Sequence, residues 1–167
     1  MKATITKALL YLQVLTFIAV SSLGGPKASP KGEPFHGSFH GDETYIFQGD
    51  DLFTSGSGDG HGSHLGSFSA TYETVSQPFL PGNFGVTSYE LIAANGDSVF
   101  IQAHGQGDGS QFPVVTAVEV GTITGGTGRF EGASGSILIQ LVTNVLSDTT
   151  GTSTFTFAGT IVFAKAH

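Results

Sequence analysis

From about residue 33 onward, apolar and polar positions alternate with a period of two, in short runs set apart by Gly, Pro, Asn and Asp. That period belongs to strands with one packed face and one wetter face. The last run shows it most clearly. Phe155, Phe157, Gly159, Ile161 and Phe163 fall on one side; Thr154, Thr156, Ala158, Thr160 and Val162 fall on the other. No stretch beyond the N-terminal two dozen residues carries a 3.6-residue apolar period, so no helix of consequence is predicted there.

The runs predict strands over residues 35–40 and 43–48, joined near Gly41-Asp42, and then over 64–75, 84–93, 98–105, 114–124, 136–146 and 152–165. Residues 49–62 (GDDLFTSGSGDGHG) read as a long polar loop. Pro78 and Pro81-Gly82 end the third run, and Asn95-Gly96 is the strongest hairpin signal in the chain. About eight strands is the number at which a closed barrel just fills with side chains or holds one small ligand. Closure also removes exposed sheet edges. The predicted fold class is all-β: an eight-stranded antiparallel β-barrel preceded by an N-terminal signal helix.

That leading helix comes from a different pattern. Lys2 and Lys7 precede residues 8–20 (ALLYLQVLTFIAV), thirteen mostly apolar residues interrupted by Gln13 and Thr16. The stretch is short for a membrane span, which needs about 20 residues, and it fits a secretory signal. Ser22 and Gly24 offer a cleavage site, with Ala28 a second candidate and an uncleaved anchor the alternative. The predicted organisation is therefore a signal peptide over 1–24, a linker over 25–32 (GPKASPKG) and a barrel over 33–167. The expected location is secreted, extracellular or periplasmic, with no stable membrane span once the signal is cleaved.

Composition supports that reading. The chain has 25 glycines and only 11% charged residues, poor for helices and good for sheets and turns. Zero cysteines leave an exported domain to rely on its core and its closed sheet. Without Lys2 and Lys7, thirteen acids face Lys27, Lys31, Arg129 and Lys165, a net charge of −9. No basic patch forms, so nucleic acid is not an expected partner.

Residues 122–136 (TITGGTGRFEGASGS) stand out, with five glycines around Arg129, Phe130 and Glu131 between two apolar runs. A phosphate-cradling turn would need a third Gly and a following helix. Here Glu131 holds the third position and Ile137, Leu138 and Ile139 follow as strand. The structural reading is a sharp bend at a barrel rim with Phe130 buried and with Arg129 and Glu131 paired on an exposed face. The segment resembles the GG-[ST]-G-x-F-x-x-A-x-G element of the allene oxide cyclase-like and dirigent-like barrel superfamily. Matching positions are Gly125, Gly126, Thr127, Gly128, Phe130, Ala133 and Gly135, with Gly132 beside them. With the strands that follow, the similarity covers roughly the last third of the chain, and it is greatest to secreted, Gly-rich bacterial members of unassigned function. Dirigent proteins usually carry Arg before the last Gly, where this chain has Ser134, and no position matches the cyclase's catalytic residues. The resemblance implies a barrel, and dimers or trimers as family assemblies. It implies nothing about chemistry here.

The candidate site residues are few. His61 and His64 lie three apart, and with Asp42, Asp59 or Glu43 they offer imidazole and carboxylate ligands for a metal, though the spacing is unspecific. His36 and His40 share a strand face. Asp50, Asp51, Asp59 and Asp108 sit in Gly-rich stretches but lack the spacing of a calcium loop. Ser134 in GASG is not a nucleophile elbow, because no helix follows it. Glu73, Glu90 and Glu119 occur within strands. Glu119 alternates with Ala117, Gly121 and Ile123, so its face is otherwise apolar, and parity alone does not say whether that face is the lumen. Tyr72, Tyr89 and His64 are further candidate pocket polars, and no cofactor is implied. Two functions follow as expectations. One is a non-catalytic secreted barrel that binds a small apolar ligand or serves a structural role. The other is a cyclase- or isomerase-like enzyme that mainly controls its substrate's conformation.

Overall fold

The computed structural model describes residues 31–78 and 83–164. It contains eight strands: β1 (Glu33–Gln48), β2 (Asp51–Gly62), β3 (Gly66–Ser76), β4 (Phe84–Ala93), β5 (Ser98–Gln111), β6 (Val114–Gly126), β7 (Ser134–Val145) and β8 (Thr150–Val162). Each pairs antiparallel with its sequence neighbours, and β1 closes the ring against β8. The all-β, eight-stranded antiparallel barrel expected from the sequence is the observed architecture. The predicted leader helix and most of the linker lie outside the described residues, as does the final residue, His167.

Two strands depart from the sequence reading, and the departures cancel in the count. Residues 35–40 and 43–48 do not form a hairpin at Gly41-Asp42. They are one strand, with Gly41 facing Gly58 on one side and Ser153 on the other. The turn comes later, at Gly49-Asp50. The predicted polar loop over 49–62 is instead strand β2, fully paired with β1 and β3.

Side-chain volume inside the barrel explains β2. Beyond Leu52 and Thr54 its inward positions are Gly56, Gly58, Gly60 and Gly62, and the outward ones between them are Ser55, Ser57, Asp59 and His61. Aromatic rings from other strands occupy the space those glycines leave. A Cβ at Gly56 would strike the Tyr72 ring, and one at Gly60 would lie 2.6 Å from the Phe68 ring and 2.5 Å from the Phe39 Cβ. Glycine lowers strand propensity, so the segment looks like a loop in isolation. Packing across the lumen overrides that preference.

The barrel has two unlike halves. At one end the β2–β3, β4–β5 and β6–β7 turns gather, and large apolar side chains fill the interior. Phe35, Leu65, Val99, Phe130 and Ile161 are among the residues buried there. Phe35 and Phe157 rings lie 5.2 Å apart, and Phe130 stacks on Phe163 at 5.9 Å. In the middle Phe39 stacks on Phe155 at 4.2 Å.

The Gly-rich segment builds the seal. A register shift between Phe100 and Ile101 bulges the end of β6, and a single 3-10 turn, η1 (Gly128–Phe130), follows. The Phe130 amide donates to Thr127 O (3.0 Å) and the Ala133 amide to Phe130 O (2.9 Å). This aims the fully buried Phe130 into the barrel end. Gly128 adopts φ +56°, and a Cβ there would run into the Asp97 carboxylate. The expected alternation of Arg129 and Glu131 on extended backbone therefore does not occur. Arg129 instead sits with its Nε 3.6 Å from Asp97 and its guanidinium 4.8 Å from the centre of the Phe130 ring.

Candidate functional site

At the opposite end, where the β1–β2, β3–β4, β5–β6 and β7–β8 connections meet, small inward residues stand among Phe47, Leu52 and Leu141. Thr54, Ser76, Gly85, Gly105, Gly107 and Ala117 replace the Phe, Ile and Leu of the sealed half. An eight-stranded barrel of fixed girth holds a fixed interior volume, so small side chains leave a void. The result is a cavity of about 630 Å³ that opens at this end. Phe155, Tyr72 and Tyr89 lie along its depth, with Tyr72 and Phe155 ring centres 4.8 Å apart and Tyr72 and Tyr89 5.9 Å apart.

Two carboxyl groups lie deep in this lumen, and Asp148 lines its mouth. Glu119 on β6 is buried and accepts hydrogen bonds from Thr87 Oγ1 (2.8 Å) and from the Tyr89 hydroxyl. Burial raises its pKa, and those two hydrogen bonds together with the charge of His104 only partly oppose the rise. Glu43 on β1 is equally enclosed. Its Oε2 accepts from Tyr45 (2.8 Å), while its Oε1 accepts from Tyr72 (2.9 Å) and from Ser153 Oγ. Ser153 Oγ also hydrogen-bonds Thr143 Oγ1. The phenols of Tyr45, Tyr72 and Tyr89 are all pushed up, first by burial and then by the neighbouring carboxyl group. They stay protonated donors at any physiological pH.

Three of the sequence-flagged residues, Glu119, Tyr72 and Tyr89, therefore meet in one lumen. His64 goes elsewhere. It lies in the β2–β3 turn at the sealed end, with φ +61°, its Nε2 3.1 Å from Pro34 O and 3.6 Å from the Glu33 carboxylate. Its ring packs against Phe163 at 5.3 Å. The turn that carries it is at the wrong end of the barrel for the cavity.

His61 points outward near the end of β2, and the described residues contain no group of three or more His, Asp or Glu side chains able to hold a metal. His36 and His40 share the outer face of β1, where His40 Nδ1 meets Thr154 Oγ1 at 3.1 Å. The aspartates are scattered. Asp51 accepts from Gln77 Nε2, and Asp108 accepts from the Ser110 amide, which lowers its pKa. Glu73 and Glu90 face outward, Glu90 accepting from Ser98.

No family model matches the sequence, and no curated protein does. Among solved structures the chain is similar to a pterocarpan synthase dirigent protein, at 13% identity and a TM-score of 0.44, over 85% of this chain and 98% of that one. What the lumen does has to come from its own residues.

Glu43 is the lumen residue that sequence reasoning missed, together with Tyr45, Thr87, Thr143 and Ser153. Placing a turn at Gly41-Asp42 broke the parity that would have exposed Glu43. Phe35, Phe39, Glu43, Tyr45 and Phe47 are all odd-numbered, on one continuous inner face running through Gly37 and Gly41. Ser153 likewise belongs to the inner row of β8 with Phe155 and Phe157.

Proposed function

We propose that this chain is an exported, non-catalytic barrel that holds a small, largely apolar ligand in its half-open lumen. The observation that carries the reading is the 630 Å³ cavity, set over a floor of Phe155, Tyr72 and Tyr89 and sealed from the other end. Its size is within the range of small-molecule sites, and its lining has the usual mix of apolar walls and a few convergent polar groups. Export rests on Lys2, Lys7 and the apolar run that follows them. A purely structural role would need no such void.

The test is native mass spectrometry of the full chain purified from the culture medium or envelope without added detergent. Retention of a small organic mass, lost on gentle denaturation, supports ligand binding. A bare protein mass, together with no uptake from an envelope extract, overturns it in favour of a structural role.

One observation favours a second reading, a cyclase- or isomerase-like enzyme. Glu119 is a carboxyl group of raised pKa inside a wide lumen, where such groups often serve as acid or base. Incubating the identified ligand with the protein and looking for an isomer of the same mass separates the two readings. Recovery of unchanged ligand leaves binding alone.

A further inference from the structure

The proposal that the lumen binds an apolar ligand leaves open what that ligand's polar end should be. The hydrogen-bond inventory of the floor narrows it. Tyr45, Tyr72 and Ser153 give their protons to Glu43, and Tyr89 and Thr87 give theirs to Glu119. A hydroxyl has one proton to give, so these five groups have none left for a ligand. What remains is acceptor capacity. A carboxylate offers roughly four acceptor sites; Glu43 receives three donors and Glu119 two. A polar end seated against these two carboxylates is therefore matched by a donor.

Charge narrows it further. Glu43, Glu119 and, at the mouth, Asp148 line the cavity, and no Lys, Arg or His does among the described residues. A carboxyl group enclosed in a lumen that no cation lines is costly to ionise, and neutral hydroxyl donors with the outer-face His104 compensate Glu119 only in part. The raised pKa of Glu119 is what that environment produces. Tyr72, Tyr89 and Phe155 add aromatic surface at the same depth, and ring faces attract cations. An anionic ligand would meet like charge at the floor, where the five hydroxyls already give their protons to Glu43 and Glu119.

Resting on the lumen-binding reading above, we infer that the ligand is an organic ammonium ion: an apolar body with a positively charged hydrogen-bond donor that enters first and ends between Glu43 and Glu119.

A matched series of probes tests this on the full chain: 4-phenylbutylamine, 4-phenylbutanol and 4-phenylbutyrate, compared by isothermal titration calorimetry. The amine is expected to bind at least about tenfold more tightly than the alcohol, since charged hydrogen bonds are about twice as strong as neutral ones. The butyrate is expected to bind weakest. Glu119→Gln and Glu43→Gln should narrow the gap between amine and alcohol. Should either variant fail to fold, the wild-type series still decides. Equal affinity for amine and alcohol, or tightest binding of the butyrate, overturns the charge assignment and leaves the lumen-binding reading standing. A lumen that takes none of the three overturns both.

Discussion

Replacing Gly58 with Ala is the sharpest test of how the barrel accommodates its Gly-rich strand. A Cβ at Gly58 would run into the His40 carbonyl oxygen and lie 2.6 Å from both Gly41 Cα and His40 C. These are backbone atoms of the neighbouring strand, so no rotamer change relieves the clash. Strands β1 and β2 must separate at the Gly41–Gly58 pair or distort. Overpacking of this kind costs about 1–3 kcal/mol. The loss of chain entropy in the unfolded state on replacing Gly returns roughly 0.4–1 kcal/mol. The net expectation is about 1.3 kcal/mol of destabilisation, a fall in Tm of roughly 3–5 °C for a domain of this size. Two controls bracket the measurement by far-ultraviolet circular dichroism. Ser57→Ala, one residue away on the outer face, should stay within about 0.5 kcal/mol of the parent. Gly109→Ala, where a Cβ meets nothing within 4 Å, should be neutral or slightly stabilising. If Gly58→Ala melts within about 1 °C of the parent, the inner-face account of β2 is refuted. The segment would then behave as the loop its composition suggests.

Phe130→Ala should cost about 3–5 kcal/mol, because it empties a fully buried position in the sealed end; a Tm loss under about 4 °C would argue against the plug. The folded-state pKa of Glu119 lies above its ordinary value of 4.5, so the folded protein keeps that proton longer than the unfolded chain. Its contribution is full below the unfolded value and lost as pH rises through the folded one. Urea titrations across that window should show a falling stability that Glu119→Gln flattens; parallel curves would contradict the burial of an ionisable group there. Ala117→Phe, on the open half of the inner face of β6, should abolish uptake of the ligand while leaving Tm unchanged or higher. Undiminished uptake in that variant would place the ligand outside the lumen.

Much of the fold was legible because alternation survives wherever inward residues are apolar. The faces of β8 are one example, Phe155, Phe157 and Ile161 inward against Thr154, Thr156 and Thr160 outward, and they needed no tertiary information. The burial of Phe130 was legible too, from the glycines that surround it. From Gly56 to Gly62 the inward row of β2 is Gly, and a residue without a side chain carries no hydrophobic signal. Only the rings of Phe68 and Tyr72 and the backbone of β1, arriving from neighbouring strands, show why glycine is required there.

The site divides along the same line. The sequence by itself determined that Glu119 shares a face with Ala117, Gly121 and Ile123, and that Tyr72 and Tyr89 sit on strands. Closure of the ring decided that this face is the lumen. It brought Glu43 and Ser153, 110 positions apart, within hydrogen-bonding distance, and carried His64 to the other end. Parity along one strand is a local property of backbone geometry, whereas the inside of a barrel exists only once its first and last strands have paired.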